Sequence, residues 1–363
     1  MTSFATDAKI STRTRSLVQS ILGIKILGTG SYLPENRVAN EDLAELGYDA
    51  EWIIQRTGIK ARRHAFPGQS TSDLAFEAAQ VCLKNSGVAP SEVDFIFVAT
   101  MTPDHYTPSS ASLLQASLGC QCPAVDMNGA CSGFMYALIT ACQFLKTGCC
   151  KKVLVVGADV MSTVVDPEDK KTFPLFGDGA GAAILSLENE STKTVVAGAN
   201  GVPSQENNPS MGILAYCLGS EGELANLLVV PGCGSRLPAT HQVLDERDNY
   251  LKMEGRAVFK WAVRLIPEVT NELLSAAGLT LDDIDLFIFH QANRRIIDSA
   301  VGALQIPLDK VLINVDEYGN TSAASIPISL DEALQQGRIQ PGHRVLLCGF
   351  GAGLSSGACI WQF

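Results

Sequence analysis

Charge is scarce in this chain, and positive charge scarcer still. Only 18% of the 363 residues are charged, and 27 Lys and Arg stand against 38 Asp and Glu, a formal net charge of −11. That balance excludes a general nucleic-acid-binding role, which needs a basic face, and leaves only a local cationic patch. Aromatic residues are also few, at 7%, while hydrophobic residues reach 46% and glycine is plentiful at 32. Such a mixture excludes disorder and fibrous structure and suits tight packing of helices on strands. Long apolar runs are missing from the start of the chain. Ile21–Leu27 is short and holds Lys25, so it falls far below the about 20 apolar residues that cross a bilayer. It reads as a first strand ending at Gly28.

The eleven cysteines do not form a disulfide framework by pattern. Their number is odd, most lie in apolar runs, and no secretory signal is visible. Mostly reduced thiols in a reducing compartment are expected. Cys120/Cys122 and Cys149/Cys150 lack the two-residue gap of a zinc knuckle, so no metal site is expected. The first twenty residues are Ser/Thr-rich with two arginines and read as a tail. A cytoplasmic protein is expected, or a plastid one if that tail is a transit peptide.

A length of 363 residues suggests one large unit or two domains. Apolar runs at Phe95–Ala99, Val153–Val156, Leu286–Phe289 and Val345–Cys348 read as buried strands. Helical patterns at Thr71–Asn85, Ser109–Leu118, Cys131–Lys146, Arg256–Ala277 and Ser322–Gln336 alternate with them, with Ser72 as a cap and Gly87 as a stop. This alternation predicts an α/β protein with a mostly parallel, covered sheet. The segment from Ser86 resembles the one from Ala277, with Gly87 and Gly278 191 residues apart (278 − 87). Val153 and Val345 begin a second match at 192 (345 − 153). The chain therefore reads as a duplication: a tail at 1–20, one half at 21–190 and another at 191–363. A site is expected where the halves meet.

Three residues stand out for chemistry. Cys131 lies at the start of an apolar helix among Gly129, Ala130, Ser132 and Gly133. A helix N-terminus lowers a thiol pKa and favours the nucleophilic thiolate. His290 follows an apolar strand, at the end where sites gather in open α/β sheets. Taken alone it reads equally as a hydrogen-bonded core histidine. Asn320 precedes a helix of small residues and reads alone as an N-cap. An offset of about 190 puts Thr321 opposite Cys131, which would bring Asn320 beside the thiol. Phe176–Ala182 and Gly349–Gly357 are glycine-rich without a phosphate-loop pattern, and close backbone approach is the better use of them.

Together, Gly129-Ala-Cys-Ser-Gly-Phe, Phe176-Gly-Asp-Gly-Ala-Gly-Ala, His290-Gln-Ala-Asn and Gly319-Asn-Thr-Ser-Ala-Ala-Ser resemble β-ketoacyl-acyl-carrier-protein synthase III. The likeness runs from about Ile24 to Phe363. It implies a thiolase-like fold, two similar halves in a five-layer αβαβα arrangement. It also implies an acyltransferase initiating type II fatty acid synthesis by decarboxylative condensation of an acyl-CoA with malonyl-acyl carrier protein. In that reading Cys131 takes the acyl group and His290 and Asn320 hold the malonyl thioester carbonyl. Backbone N–H groups of Cys131 and Ala352 form the oxyanion hole. The resemblance puts CoA contacts on Trp52, Arg56, Lys170 and Asn293, with Lys170 where the family has an arginine. A basic patch of Arg256, Lys260, Arg294 and Arg295 would meet the acyl carrier protein. Thr107 would end the acyl pocket across a homodimer interface, where a bulky aromatic otherwise favours acetyl primers. No metal or bound cofactor is implied, and neither nucleic acid nor membrane is a partner. Leu354-Ser-Ser-Gly departs from the frequent Thr-Trp-Gly. The nearest alternative is a synthase III-like enzyme for specialised lipid or polyketide starters. A papain-like thiol hydrolase leaves the duplication unexplained, and a non-catalytic relative would normally have lost one of the three site residues.

Overall fold

The computed structural model describes residues 14–188 and 211–363. In chain order the first part holds β1 (Gln19–Leu22), β2 (Ile24–Tyr32), β3 (Arg37–Ala39), α1 (Ala50–Thr57), β4 (Ala61–Arg63), α2 (Thr71–Ser86), β5 (Phe95–Ala99), α3 (Ser110–Leu118), β6 (Ala124–Met127), α4 (Gly133–Lys146), β7 (Lys152–Asp159) and β8 (Gly179–Leu187). The second holds β9 (Gly212–Ser220), β10 (Leu228–Val229), α5 (His241–Asp245), β11 (Lys252–Met253), α6 (Gly255–Ala277), β12 (Leu286–Phe289), α7 (Arg294–Leu304), α8 (Val315–Tyr318), α9 (Ser325–Gln335), β13 (Arg344–Gly351) and β14 (Ser355–Gln362).

Two five-stranded sheets form, in the orders β2-β8-β7-β5-β6 and β1-β9-β14-β13-β12. Four strands correspond one for one: β2, β8, β7, β5 in the first and β9, β14, β13, β12 in the second. The first two pairings of each set are antiparallel and the last is parallel, so the sheets are mixed rather than mostly parallel as the strand–helix alternation predicts. The fifth strands differ. Where β6 pairs with β5, the second sheet has, among the described residues, only a parallel bridge from Phe287 to Val311, and it gains β1 at its opposite edge.

That placement corrects the reading of Ile21–Leu27 as one strand. Gly23, at φ 76°, turns the chain between β1 and β2, which lie in different sheets. Residues 14–20 are also engaged. Arg15 bridges Gly219 and pairs with Glu272 at 3.1 Å. The tail reading can therefore apply only before residue 14, outside the described residues, as is the expected boundary at 190/191.

The helices form where apolar residues face a sheet. Phe134, Leu138 and Cys142 of α4, with Ile326, Leu330 and Ala333 of α9, fill the space between the two sheets. Leu74, Ala78 and Cys82 of α2 cover the outer face of the first sheet, and Leu265, Val269 and Leu273 of α6 cover that of the second. The result is the αβαβα sandwich. Each fully buried Leu or Phe contributes about 1.5–3 kcal/mol. The cap of α2 is Ser70 rather than Ser72: Asp73 accepts the Ser70 N–H at 2.8 Å, and Gly87 at φ 67° ends the helix as expected.

The inner helices approach the first sheet backbone to backbone. A Cβ on Gly157 would lie 2.3 Å from the Ala323 carbonyl oxygen, in the opposite half. Gly157→Ala should therefore destabilise the protein by about 1–3 kcal/mol, as overpacking does. A lowered denaturant midpoint checks this; an unchanged one would show that the halves can separate freely there.

Candidate active site

The two parallel-strand ends and the two inner helix starts converge on one point. In the first half the chain leaves β6, makes a 3-10 turn at Ala130–Ser132 and enters α4. In the second it makes a 3-10 turn at Ser322–Ala324 and enters α9. The expected helices at Cys131 and Ser322 thus begin later, at Gly133 and Ser325, each after a tighter segment. Ala130 and Ser322 both have positive φ, 45° and 51°. They are 192 residues apart (322 − 130). Ala323, not Thr321, is therefore the counterpart of Cys131, and Asn128 that of Asn320. Both asparagines make the same turn: Asn128 Oδ1 accepts the Ala130 N–H at 3.2 Å, and Asn320 Oδ1 accepts the Ser322 N–H at 2.9 Å. At an offset of 192 the sequence itself aligns Asn128-Gly-Ala-Cys with Asn320-Thr-Ser-Ala.

Cys131, His290 and Asn320 line a common cavity of ≈ 700 Å³ and are 5%, 1% and 7% exposed. Its buried end is closed by Phe350 and Gly351. A Cβ on Gly351 would lie 2.7 Å from the Cys131 Cβ and 3.1 Å from Sγ, so only glycine leaves the thiol in place. Asn320 is held through its backbone: its N–H donates to Leu175 at 2.8 Å and its carbonyl accepts from Gly177 at 3.0 Å. Because Oδ1 takes the Ser322 N–H, the amide NH₂ is left for the cavity. His290 follows β12, and its neighbour Gln291 pins the loop. Gln291 donates to Phe289 and Leu312 and accepts from Asn314 and Val315. The His290 ring meets Phe350 edge-on at 5.1 Å, and its Nδ1 has no partner among the described residues.

The electrostatics differ from the expected thiolate. Burial pushes the Cys131 thiol up to about 12, and the Asp159 carboxylate adds to the rise. The Ser322 hydroxyl opposes it by proximity, without reaching hydrogen-bonding geometry to any described residue. Burial outweighs the helix start, since loss of water around the thiolate is the largest contribution to the shift. Burial also lowers His290 to about 3. At neutral pH the pair is thiol and imidazole, so attack by sulfur must be accompanied by proton transfer. A neutral imidazole still offers one N–H donor and one acceptor.

The exposed end of the cavity is cationic. Arg56, Lys170, Lys171, Arg256 and Arg295 line it against one carboxylate, Glu254. This is the local patch that the acidic composition left room for. Trp52 is 39% exposed, and the Arg56 guanidinium lies 4.8 Å from its ring centre. Lys170 instead donates to the Gly47 carbonyl at 2.8 Å and lies over the Tyr48 ring at 5.9 Å. Asn293 caps α7 through the Arg295 N–H at 2.8 Å and reaches the Arg56 carbonyl at 3.4 Å. Arg294 pairs with Asp298, while Arg256 and Lys260 are exposed on α6. Four expected residues are not on the cavity lining: Lys260, Arg294, Ala352 and Thr107. Ala352 lies next to Gly351, its carbonyl held by the Ser355 hydroxyl at 2.7 Å. Thr107 is exposed on the surface of the chain. The serines of the departing segment have a use, since Ser355 also meets the Ser132 hydroxyl at 2.8 Å and braces the turn beside Cys131. Among the described residues no helix is long and apolar enough to cross a membrane.

Two family models match: 3-oxoacyl-[acyl-carrier-protein] synthase III over residues 125–202 and its C-terminal part over 274–363. The β-ketoacyl-[acyl-carrier-protein] synthase III of Rhodopirellula baltica is 54% identical, over 95% of this chain and 99% of that protein. The crystal structure of 3-oxoacyl-[acyl-carrier-protein] synthase III from Aquifex aeolicus superposes with a TM-score of 0.82 at 41% identity, covering 94% of this chain and all of the other. A priming β-ketosynthase from the R1128 polyketide pathway gives 0.80 at 33% identity, covering 94% and 97%.

The buried histidines make stability depend on pH. His64 is lowered to about 4 by burial and His290 to about 3. Below pH 6.5 the unfolded chain protonates both while the folded chain does not, so stability falls as pH falls. Asp159 and Asp178, raised by burial, act in the opposite sense, so a variant isolates the histidine. Between pH 7.5 and 5.5 the wild type should lose about 1.4 kcal/mol more than His290→Asn. Denaturant titrations at both pH values check this, and equal losses would contradict it.

Proposed function

The chain belongs to the 3-oxoacyl-[acyl-carrier-protein] synthase III family, and from that premise we propose how its own residues carry out the reaction. It is an acyltransferase that condenses an acyl-CoA with malonyl-acyl carrier protein, with loss of CO₂, to start fatty acid synthesis. The observation that carries the residue assignment is the convergence of Cys131, His290 and Asn320, from both halves of the chain, on one buried and uncharged cavity floor.

In the first half-reaction the Cys131 sulfur attacks the thioester carbonyl of the acyl-CoA. The carbon–sulfur bond to CoA breaks, and the thiol proton passes to the departing CoA thiolate. The N–H of Cys131, in a first helical turn and so without a partner in the helix, serves with that of Ala352 to hold the transient oxyanion. In the second, the carbon–carboxylate bond of the malonyl group breaks and releases CO₂. Its electron pair forms an enolate whose oxygen is held by the Asn320 NH₂ and the His290 N–H. The enolate carbon attacks the acyl carbonyl, the bond to Cys131 breaks, and the sulfur regains a proton. Acyl-CoA, malonyl-carrier protein and a proton give 3-oxoacyl-carrier protein, CoA and CO₂, which balances without a metal or redox group.

The cationic mouth suits the two anionic substrates. Trp52, Arg56, Lys170 and Asn293 contact CoA, with Arg56 already stacked on Trp52 and Lys170 held back on Gly47. Arg256, Lys260, Arg294 and Arg295 receive the acidic carrier protein. Tyr106 is 85% exposed, and Thr107 beside it lies off this chain's cavity, so both act on the primer through a second copy in a homodimer. The protein works in the cytoplasm, where CoA and carrier protein are found together. The chain divides into a short tail and two halves that meet at the cavity.

Acyl-CoA should label Cys131, read by peptide mass spectrometry. Asn320→Ala should keep that label while condensation falls by about 10²-fold or more, as loss of an oxyanion donor does. A variant that fails to acylate yet still releases CO₂ would reverse the roles. Acyl chains longer than acetyl should also be accepted, since Thr107 leaves space for a few CH₂ groups worth about 0.8 kcal/mol each. Thr107→Phe should shift preference toward acetyl. Strict use of acetyl-CoA by the wild type would refute the pocket assignment.

A further inference from the structure

Asp159 ends β7 and is fully buried, without an Arg or Lys partner among the described residues. Burying an unpaired carboxylate is unfavourable unless its oxygens are well bonded. Here they are. Oδ1 accepts the Thr100 hydroxyl and Met101 N–H at 2.8 Å, the Thr102 hydroxyl at 3.0 Å and the Thr102 N–H at 3.2 Å. These donors all come from the loop after β5, in the same half. Oδ2 does something different: it crosses to the other half and accepts the Ala323 N–H at 3.0 Å.

That bond falls on the turn that carries Asn320. Of its successive amides, Ser322 N–H is taken by Asn320 Oδ1 at 2.9 Å, Ala323 N–H by Asp159, and Ala324 N–H by the Thr321 carbonyl at 3.0 Å. Ser322 sits at φ 51°, a conformation that persists only where its surroundings over-determine it. The duplication shows what Asp159 adds. At the register of 192, the counterpart of the Ala323 N–H is the Cys131 N–H, and the counterpart of Asp159 is Gly351, the last residue of β13. One half places a carboxylate under its turn amide; the other places a glycine and leaves the amide for substrate.

We propose that Asp159 is a positioning residue for Asn320: its carboxylate caps the second-half turn across the interface and fixes the amide group that holds the enolate. The proposal rests on the reading of Asn320 as an enolate donor, and it breaks the chemical equivalence of the two turns. The Cys131 turn serves the acyl carbonyl through its free amide, and the Asn320 turn, with its amide sealed, serves the enolate through a side chain.

Asp159→Asn tests it. The variant is nearly isosteric and keeps Oδ1 for the β5 loop, but it turns an N–H toward the Ala323 N–H. Acylation of Cys131 by acyl-CoA should stay within about threefold, while decarboxylation of malonyl-carrier protein should fall by about tenfold to a hundredfold, as misplacement of an oriented group does. The loss should lie in kcat, with KM for malonyl-carrier protein little changed. A purely structural residue would lower both half-reactions together in proportion to folded protein, and that result would overturn the proposal, as would loss of acylation alone. If Asp159→Asn fails to fold, Thr100→Val removes one donor and leaves the carboxylate in place. The same split at smaller amplitude supports the proposal, and equal losses in both half-reactions overturn it. A wild-type protein that neither acylates Cys131 nor decarboxylates malonyl-carrier protein would instead sink the functional reading itself, before any variant is made.

Discussion

Close approach of backbone to backbone at the junction of the two halves is the constraint on which the rest of the structure depends. Gly157 packs on the Ala323 carbonyl, and Gly351 packs on Cys131, at distances that admit no Cβ. These contacts bring two 3-10 turns, each entering an inner helix, to the same depth between two sheets. The apolar faces of α4 and α9 supply the driving force, and the glycines set how far it can go. Were either contact loosened, Cys131 and Asn320 would still exist in the sequence but would no longer share a cavity floor.

Desolvation then decides the chemistry. Sealing the floor removes water from Cys131 and His290 and leaves both uncharged, one as thiol and one as imidazole. An uncharged floor suits a reaction in which charge appears only transiently, first on the thioester oxygen and then on the enolate oxygen. Preorganised donors act most strongly on such charge where water is absent. Charge is kept at the exposed end, where five cations line the mouth of a protein whose net charge is −11.

Much of this was legible in the sequence because it follows from local pattern. The strands Phe95–Ala99 and Leu286–Phe289 are continuous apolar runs, and the Gly87 and Gly278 stops mark helix ends 191 residues apart. The motifs around Cys131, His290 and Asn320 carry their own spacing. What escaped was non-local. Nothing in Ile21–Leu27 shows that Gly23 sends its two parts to different sheets, because sheet partners are chosen by tertiary contacts. The helix start alone points to a lowered thiol pKa, whereas burial against Gly351 and the rest of the opposite half sets its direction. Asp159 gave no signal either, since a carboxylate at a strand end looks like any loop acid until its five donors are in view. The tie of Ser355 to Ser132 likewise needs the fold to be seen.

The central claim is that one buried floor carries both half-reactions in sequence. A single-turnover experiment tests it most directly: acylated enzyme, freed of CoA, is mixed rapidly with malonyl-carrier protein labelled in its free carboxyl. Label released as CO₂, loss of the acyl group from Cys131 and formation of 3-oxoacyl-carrier protein should follow one time course in equal amounts. Release of CO₂ with the acyl group still on Cys131, or a condensation product retaining the label, would contradict the account.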